Sequence, residues 1–204
     1  MPENPIVVRN ISDTARWAAV FRARETERPD AIFRDRYAAR LAGTLGVDIA
    51  NTLPEGNSHA WAWVARTYLF DQLIEREIEQ GTDVVVNLAA GLDARPYRMK
   101  LPPVLQWVEV DLPEILDYKE NILAEERPTC LLERIRMNLA DASARNEMLA
   151  EVAKMGKKIL VLTEGLIIYL ESAEVSLLAK DLARHSEFQR WLLDLHSPGL
   201  LRLL

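Results

Sequence analysis

The chain has 204 residues, 49% of them apolar and 27% charged, enough for one sizeable buried core and too little for two independent catalytic domains. Its 25 basic and 31 acidic residues leave a formal charge of −6 with no block of like charges, which argues against nucleic acid as the main partner. There is no apolar run of about eighteen residues and no basic-then-apolar leader, so a soluble, cytoplasmic protein with no membrane partner is expected.

The first eighty residues read as helix. From Ser12, an N-cap type, Trp17, Val20, Phe21 and Arg24 follow at helical spacing, and the segment stops before Pro29. Asp30 reads as the cap of a second helix carrying Ile32, Phe33, Tyr37 and Leu41, with Gly43 as its terminator. A third helix spans 58–79, where Trp61, Ala65, Leu69 and Leu73 form one apolar stripe.

Beyond Gly81 the pattern changes to short apolar runs. Val84, Val85 and Val86 are β-branched and continuous, as in strands buried on both faces. Similar runs occupy 105–110, 131–137, 159–163 and 191–195. Helical stretches separate them: Pro113 leads into Ile115, Tyr118 and Ile122, Ser143 precedes Met148 and Val152, and Ser172 precedes Val175, Leu178 and Leu182. Five strands alternating with helices predict an α/β fold with a parallel sheet and right-handed crossovers. Residues 1–80 then form an N-terminal helical cap and 81–204 the core.

In such a sheet, ligands bind beyond the carboxyl ends of the strands, where strand order reverses. After the first run, Ala89, Ala90 and Gly91 allow close backbone approach, although the segment is not the glycine pattern of a dinucleotide site. A tight turn with no ligand fits this stretch equally well. Asp111 ends the second run twenty residues beyond Gly91, the spacing of a carboxylate that accepts hydrogen bonds from both ribose hydroxyls of an adenosine. It reads otherwise as an acid at a helix start. Asn138 and Leu139 follow the third run, where a polar and an apolar residue frame an adenine ring or simply cap a helix. Glu164 ends the fourth, positioned to pair with a ligand ammonium or a protein arginine.

The segments NLAAGLDARPYRM at 87–99, VEVDLPEIL at 108–116 and LTEGLIIYL at 162–170, with ISDTARWAAVFRARETERPDAIFRDRYAARLAG at 11–43, resemble the leucine carboxyl methyltransferase family. The likeness is to its bacterial branch of S-adenosylmethionine-dependent O-methyltransferases, often placed beside polyketide biosynthesis. It covers nearly the whole chain and implies a Rossmann-like class I methyltransferase sheet with an N-terminal helical lid. By position, the resemblance implies S-adenosyl-L-methionine as cofactor: Gly91 at its methionine portion, Arg66 at the methionine carboxylate, Asp111 at the ribose, Asn138 and Leu139 at the adenine, and Glu164 as a further contact. Ala89 stands where some relatives have glycine. Without the resemblance, Arg66 reads as a helix-surface arginine.

Asp93 and Arg95 are expected to form an ion pair that holds the turn, and Tyr169 to pack near the active site. His59, His185 and His196 lack serine or cysteine partners, which gives no support to a nucleophilic triad. Cys130 is the single cysteine, expected to be a buried thiol, and no metal site is expected. The implied reaction is O-methylation of a small-molecule or peptide carboxylate or hydroxyl, with no catalytic residue assigned. The rival is a cofactor-binding but catalytically impaired module that acts through dimerisation. Because the chain stops soon after its fifth run, the last strands of such a sheet are expected to be missing, leaving an edge open or covered in a homodimer.

Overall fold

The computed structural model describes residues 11–52 and 60–195. Among them the chain forms seven α-helices, one 3-10 turn and a five-stranded sheet. It divides into two compact units. One comprises Met1–Ile74, Gly91–Leu101 and Glu114–Thr129; the other comprises Glu75–Ala90, Pro102–Pro113 and Cys130–Leu204.

The first unit is helical. Helix α1 (Ile11–Glu27) ends before Pro29 as its spacing predicts, with Ser12 inside it rather than ahead of it. Helix α2 (Ala38–Thr52) starts well after the expected Asp30 cap. The capping role falls to Asp35, whose Oδ1 accepts the Tyr37 N–H and whose carbonyl accepts the Ala38 N–H, each at 3.1 Å. Asp30 is instead held by Arg28 at 2.7 Å on the surface. Gly43 does break the helix, at φ 61° and ψ −173°, but a second helical run continues from it to Thr52. A Cβ at Gly43 would lie 3.3 Å from the Tyr118 hydroxyl and sit in a left-handed backbone, so glycine is required there.

Helix α3 (Ala60–Glu79) buries Thr67, Phe70, Asp71 and Ile74 rather than the expected stripe. Trp61 and Leu69 from that stripe are 69% and 56% exposed. The stripe misled because the buried face carries Asp71, whose charge is compensated inside the unit. The expected start at Ser58 lies outside the described residues. Helix α4 (Arg95–Arg98) is a single turn, and α5 (Pro113–Ile122) opens on its proline. Phe21, Tyr37, Leu41, Ile49, Ile74, Leu116 and Leu123 are fully buried.

The second unit is the sheet. Strands β1 (Val84–Leu88), β2 (Gln106–Asp111), β3 (Leu131–Arg136), β4 (Ile159–Thr163) and β5 (Phe188–Leu193) lie in the order β3-β2-β1-β4-β5. Every recorded pairing is parallel, for example Val84 with both Gln106 and Ile159. The chain winds outward from β1 to β3 and then returns to lay β4 on the other side of β1, a Rossmann-like order whose switch point lies between β1 and β4. β1 and β4 are buried along their whole length, as continuous apolar runs require.

Helix α6 (Ala142–Val152) and helix α7 (Ser172–Ala183) contribute Met148, Leu149, Val152, Leu178 and Leu182 to a core with Val84, Val86, Leu88, Val108, Val110 and Val161. α6 is capped by Asp141, whose Oδ1 accepts the N–H groups of Ser143 and Ala144 at 3.0 and 3.1 Å, so the cap lies two residues before the expected Ser143. β5 begins three residues before the expected 191–195 run. The exposed Gln189 and Arg190 hid its start, while Thr163 pairs with Leu193 and the Trp191 indole N–H donates to Thr163 Oγ1 at 2.9 Å.

Candidate functional site

The carboxyl ends of the parallel strands form one rim of the sheet unit. β1 runs out into Ala89 and Ala90, and the Ala90 N–H donates to the Val110 carbonyl at 3.2 Å. Ala89 has φ 57°, a left-handed conformation that its Cβ resists. A glycine would take this conformation without that strain. Gly91, the first residue of the helical unit's second segment, also has positive φ, at 48°.

Asp111 ends β2 half-buried, and its Oδ1 accepts the N–H of Leu112 at 2.7 Å, which fixes the carboxylate's orientation. Its backbone carbonyl accepts the Met137 N–H at 2.9 Å. Asp111 is thereby tied to the turn after β3 that carries Asn138 and Leu139. Within this turn the Asn138 side-chain oxygen accepts the Ala140 N–H at 3.0 Å, and the Asn138 carbonyl accepts the Asp141 N–H at 3.1 Å. Glu164 follows β4 half-buried, and the next residue, Gly165, donates its N–H to Asp194 at 2.7 Å. Asp111, Asn138 with Leu139, and Glu164 therefore lie beyond the carboxyl ends of β2, β3 and β4 on one sheet rim, with β1 between β2 and β4.

Sequence reasoning missed the groups that hold these turns. Arg145 of α6 donates to the Leu139 carbonyl at 2.6 Å and is paired with Asp181 of α7 at 2.7 Å. Its readable signal was a charge on the apolar face of each helix: Arg145 shares a face with Met148 and Leu149, and Asp181 with Leu178 and Leu182. Tyr169 lies in the 3-10 turn Ile167–Tyr169 and is 45% exposed.

In the helical unit, the Arg66 guanidinium lies 4.7 Å from the centre of the Trp63 ring, a cation–π contact. Trp63 also packs against Trp17 and Phe21, at 5.2 and 5.8 Å between ring centres. A chain of buried charges runs through this unit. Arg22 pairs with Asp35 at 2.9 Å, Arg98 with Asp71 at 2.7 Å, and Arg95 with both Asp71 and Asp93 at 2.7 and 2.9 Å. The expected Asp93–Arg95 pair is therefore present, and the Arg95 backbone N–H adds a bond to Asp93 at 2.9 Å. Burial pushes the Asp93 carboxyl upward, but the charges of Arg95, Lys119 and Arg98 outweigh it and hold the group down at about 2.

Among the described residues no group of three or more His, Cys, Asp or Glu is arranged to hold a metal ion, and no helix is long and apolar enough to cross a membrane. His59 and His196 lie outside the described residues. His185 packs edge-on against Phe188, ring centres 5.8 Å apart, at the amino end of β5 and so at the opposite edge of the sheet from the rim.

Residues 15–183 match the family model of leucine carboxyl methyltransferase. Several similar proteins carry the name "Putative S-adenosyl-L-methionine-dependent methyltransferase". One from Parafrankia sp. (strain EAN1pec) is 33% identical over 186 residues, which is 86% of this chain and 60% of that protein. One from Streptomyces coelicolor is 33% identical over 201 residues, 92% of this chain and 70% of that protein. One from Mycobacteroides abscessus is 30% identical over 195 residues, 88% of this chain and 64% of that protein. The chain thus spans 60% to 70% of the length of these relatives.

Proposed function

The chain belongs to the leucine carboxyl methyltransferase family, and on that premise we propose that it binds S-adenosyl-L-methionine and directs methyl transfer to an oxygen of a small-molecule or peptide acceptor. The observation that carries this reading is the hydrogen bond from the Met137 N–H to the Asp111 carbonyl. It fastens a carboxylate suited to two ribose hydroxyls beside a turn suited to an adenine. The donor set fits the cofactor: an oriented carboxylate at Asp111, an apolar side chain at Leu139 and a second carboxylate at Glu164, all on one rim. For Arg66 and Gly91, the support is their position in the family's motifs.

When bound, the cofactor supplies a methyl group made electrophilic by its sulfonium. The chain's own work is then to hold and orient. Asp111 would accept from the ribose hydroxyls, Leu139 would pack the base and Glu164 would draw an ammonium toward β4, while Arg66, by its position in the family's motif, would offer a guanidinium to a carboxylate. Such positioning supplies roughly 7–11 kcal/mol in favourable cases. A carboxylate acceptor is ionised at neutral pH and needs no general base, and His185, the one histidine among the described residues, stands at the far edge of the sheet. For a hydroxyl acceptor Glu164 stands on the rim as a candidate base; what supports a carboxylate as the acceptor class is the family whose model the chain matches, leucine carboxyl methyltransferase.

Calorimetric titration with S-adenosylhomocysteine tests the cofactor reading: affinity in the micromolar range is expected, and no binding at millimolar ligand overturns it. Label transfer from methyl-labelled cofactor to a panel of carboxylic acids and alcohols tests the acceptor class. Transfer confined to alcohols overturns the carboxylate reading.

A further inference from the structure

We infer that Asp194, just beyond the carboxyl end of β5, is the positioning residue that holds Glu164 in place on the rim. The inference rests on the cofactor reading above, in which Glu164 contacts the ligand. Glu164 is followed by Gly165, whose backbone takes φ 73°. A glycine is the residue least able to hold a chain by itself, because it enters positive and negative φ with nearly equal ease. Left to the local sequence, the segment that carries Glu164 would sample several directions. Asp194 removes that freedom: its Oδ1 accepts the Gly165 N–H at 2.7 Å, from 29 residues further along the chain.

That N–H belongs to the peptide that joins Glu164 to Gly165, so the bond acts on Glu164 directly. On the other side, Thr163 pairs with Leu193 in the ladder between β4 and β5, and its Oγ1 accepts the Trp191 indole N–H at 2.9 Å. The chain is thus held from β5 both just before Glu164 and just after it. Held on both sides, the Cα–Cβ bond of Glu164 keeps one direction, and only the side-chain torsions are left to be ordered when a ligand arrives. Asp194 lies beyond Leu193, the last residue of β5, so its bond to Gly165 ties down a loop rather than extending the sheet. Ordering a loop at the moment of binding lowers affinity, and a loop ordered beforehand avoids that loss. In this scheme Asp194 acts on the ligand only through Glu164.

The test is a double-mutant cycle read as Kd for S-adenosylhomocysteine by calorimetry. Glu164→Gln removes the contact and is expected to weaken binding about tenfold, the range for a lost bond to a charged group. Asp194→Leu, similar in shape but with no acceptor, is expected to weaken it about fivefold when Glu164 is present and less than about twofold in the Glu164→Gln background. Asp194→Asn keeps an oxygen that can accept the Gly165 N–H and is expected to retain most of the affinity. Circular dichroism and thermal melting establish that each variant is folded. If Asp194→Leu does not fold, Asp194→Ser serves, since its shorter side chain stops short of the Gly165 N–H. A general loosening of the sheet weakens binding equally in both backgrounds, and that result overturns the inference. So does an Asp194→Leu chain that binds like wild type, or an Asp194→Asn chain that binds no better than Asp194→Leu. A Glu164→Gln chain that binds as tightly as wild type removes the Glu164 contact and the inference with it, and leaves the cofactor reading standing. A wild-type chain that binds no S-adenosylhomocysteine overturns the cofactor reading itself and the inference that rests on it.

Discussion

Asp71 receives two guanidinium groups at once: Arg95 Nε reaches its Oδ1 and Arg98 Nη1 its Oδ2, each at 2.7 Å. All three side chains are less than a tenth exposed. Removing the carboxylate leaves two cations in the interior of the helical unit with reduced compensation. Asp71→Asn is expected to destabilise the chain by roughly 3–5 kcal/mol, the range for breaking a buried pair from one side. Urea unfolding at neutral pH measures this, and a loss below about 1 kcal/mol contradicts the arrangement.

Asp93 gives the pH counterpart. Its carboxyl is held at about 2 in the folded chain against an ordinary 3.8. A depressed carboxylate contributes stability that is fully present above its unfolded value and is lost as pH falls through the folded one. The contribution is on the order of 2 kcal/mol. Asp93→Asn lacks it at every pH, so the stability difference between wild type and variant is expected to shrink as pH falls from 4 toward 2. Parallel unfolding curves across that interval would speak against the assignment.

Ala89 holds a left-handed backbone at φ 57°. That conformation costs an L-residue about 1–2 kcal/mol, partly offset in a glycine variant by the greater entropy of its unfolded chain. Ala89→Gly is therefore expected to raise stability by about 0.5–1 kcal/mol, and Ala89→Val to lower it. The midpoint of chemical denaturation distinguishes these, and a glycine variant less stable than wild type contradicts the strained turn.

Asp111→Ala is expected to weaken S-adenosylhomocysteine binding by about tenfold to a hundredfold, the equivalent of losing charge-assisted bonds. Asp117→Ala, on the exposed face of α5, is expected to change it less than about twofold. Equal effects by calorimetry remove the ribose assignment.

How much of this was legible in the sequence depended on whether the signal was local. Val84–Val86 and Ile159–Leu162 are continuously apolar because they are covered on both faces, and both read in the sequence as buried strands. Pro113 marked its helix start by its own backbone geometry. The failures have a common cause in long-range polar pairing. Asp35 rather than Asp30 caps α2 because Asp35 is anchored by Arg22, and α3 turns Asp71 inward because Arg95 and Arg98 lie more than twenty residues further along the chain. The positions of Asp111, Asn138, Leu139 and Glu164 beyond strand ends were legible because the apolar runs that precede them are local signals. Arg145 and Asp181 were missed because they lie 36 residues apart and read singly as helix charges.

Cys130 immediately precedes the outer strand β3 and is 7% exposed. Burial, with the nearby Glu109 charge, pushes its thiol up to about 12. At neutral pH almost none of it is thiolate, so a thiol-directed reagent reacts only during excursions that bring the group into water. As the only cysteine in the chain, it makes the protein its own stopwatch. The labelling rate counts openings of that sheet margin, and slower labelling with nucleoside ligand present would measure how firmly an occupied rim fastens the strand behind it.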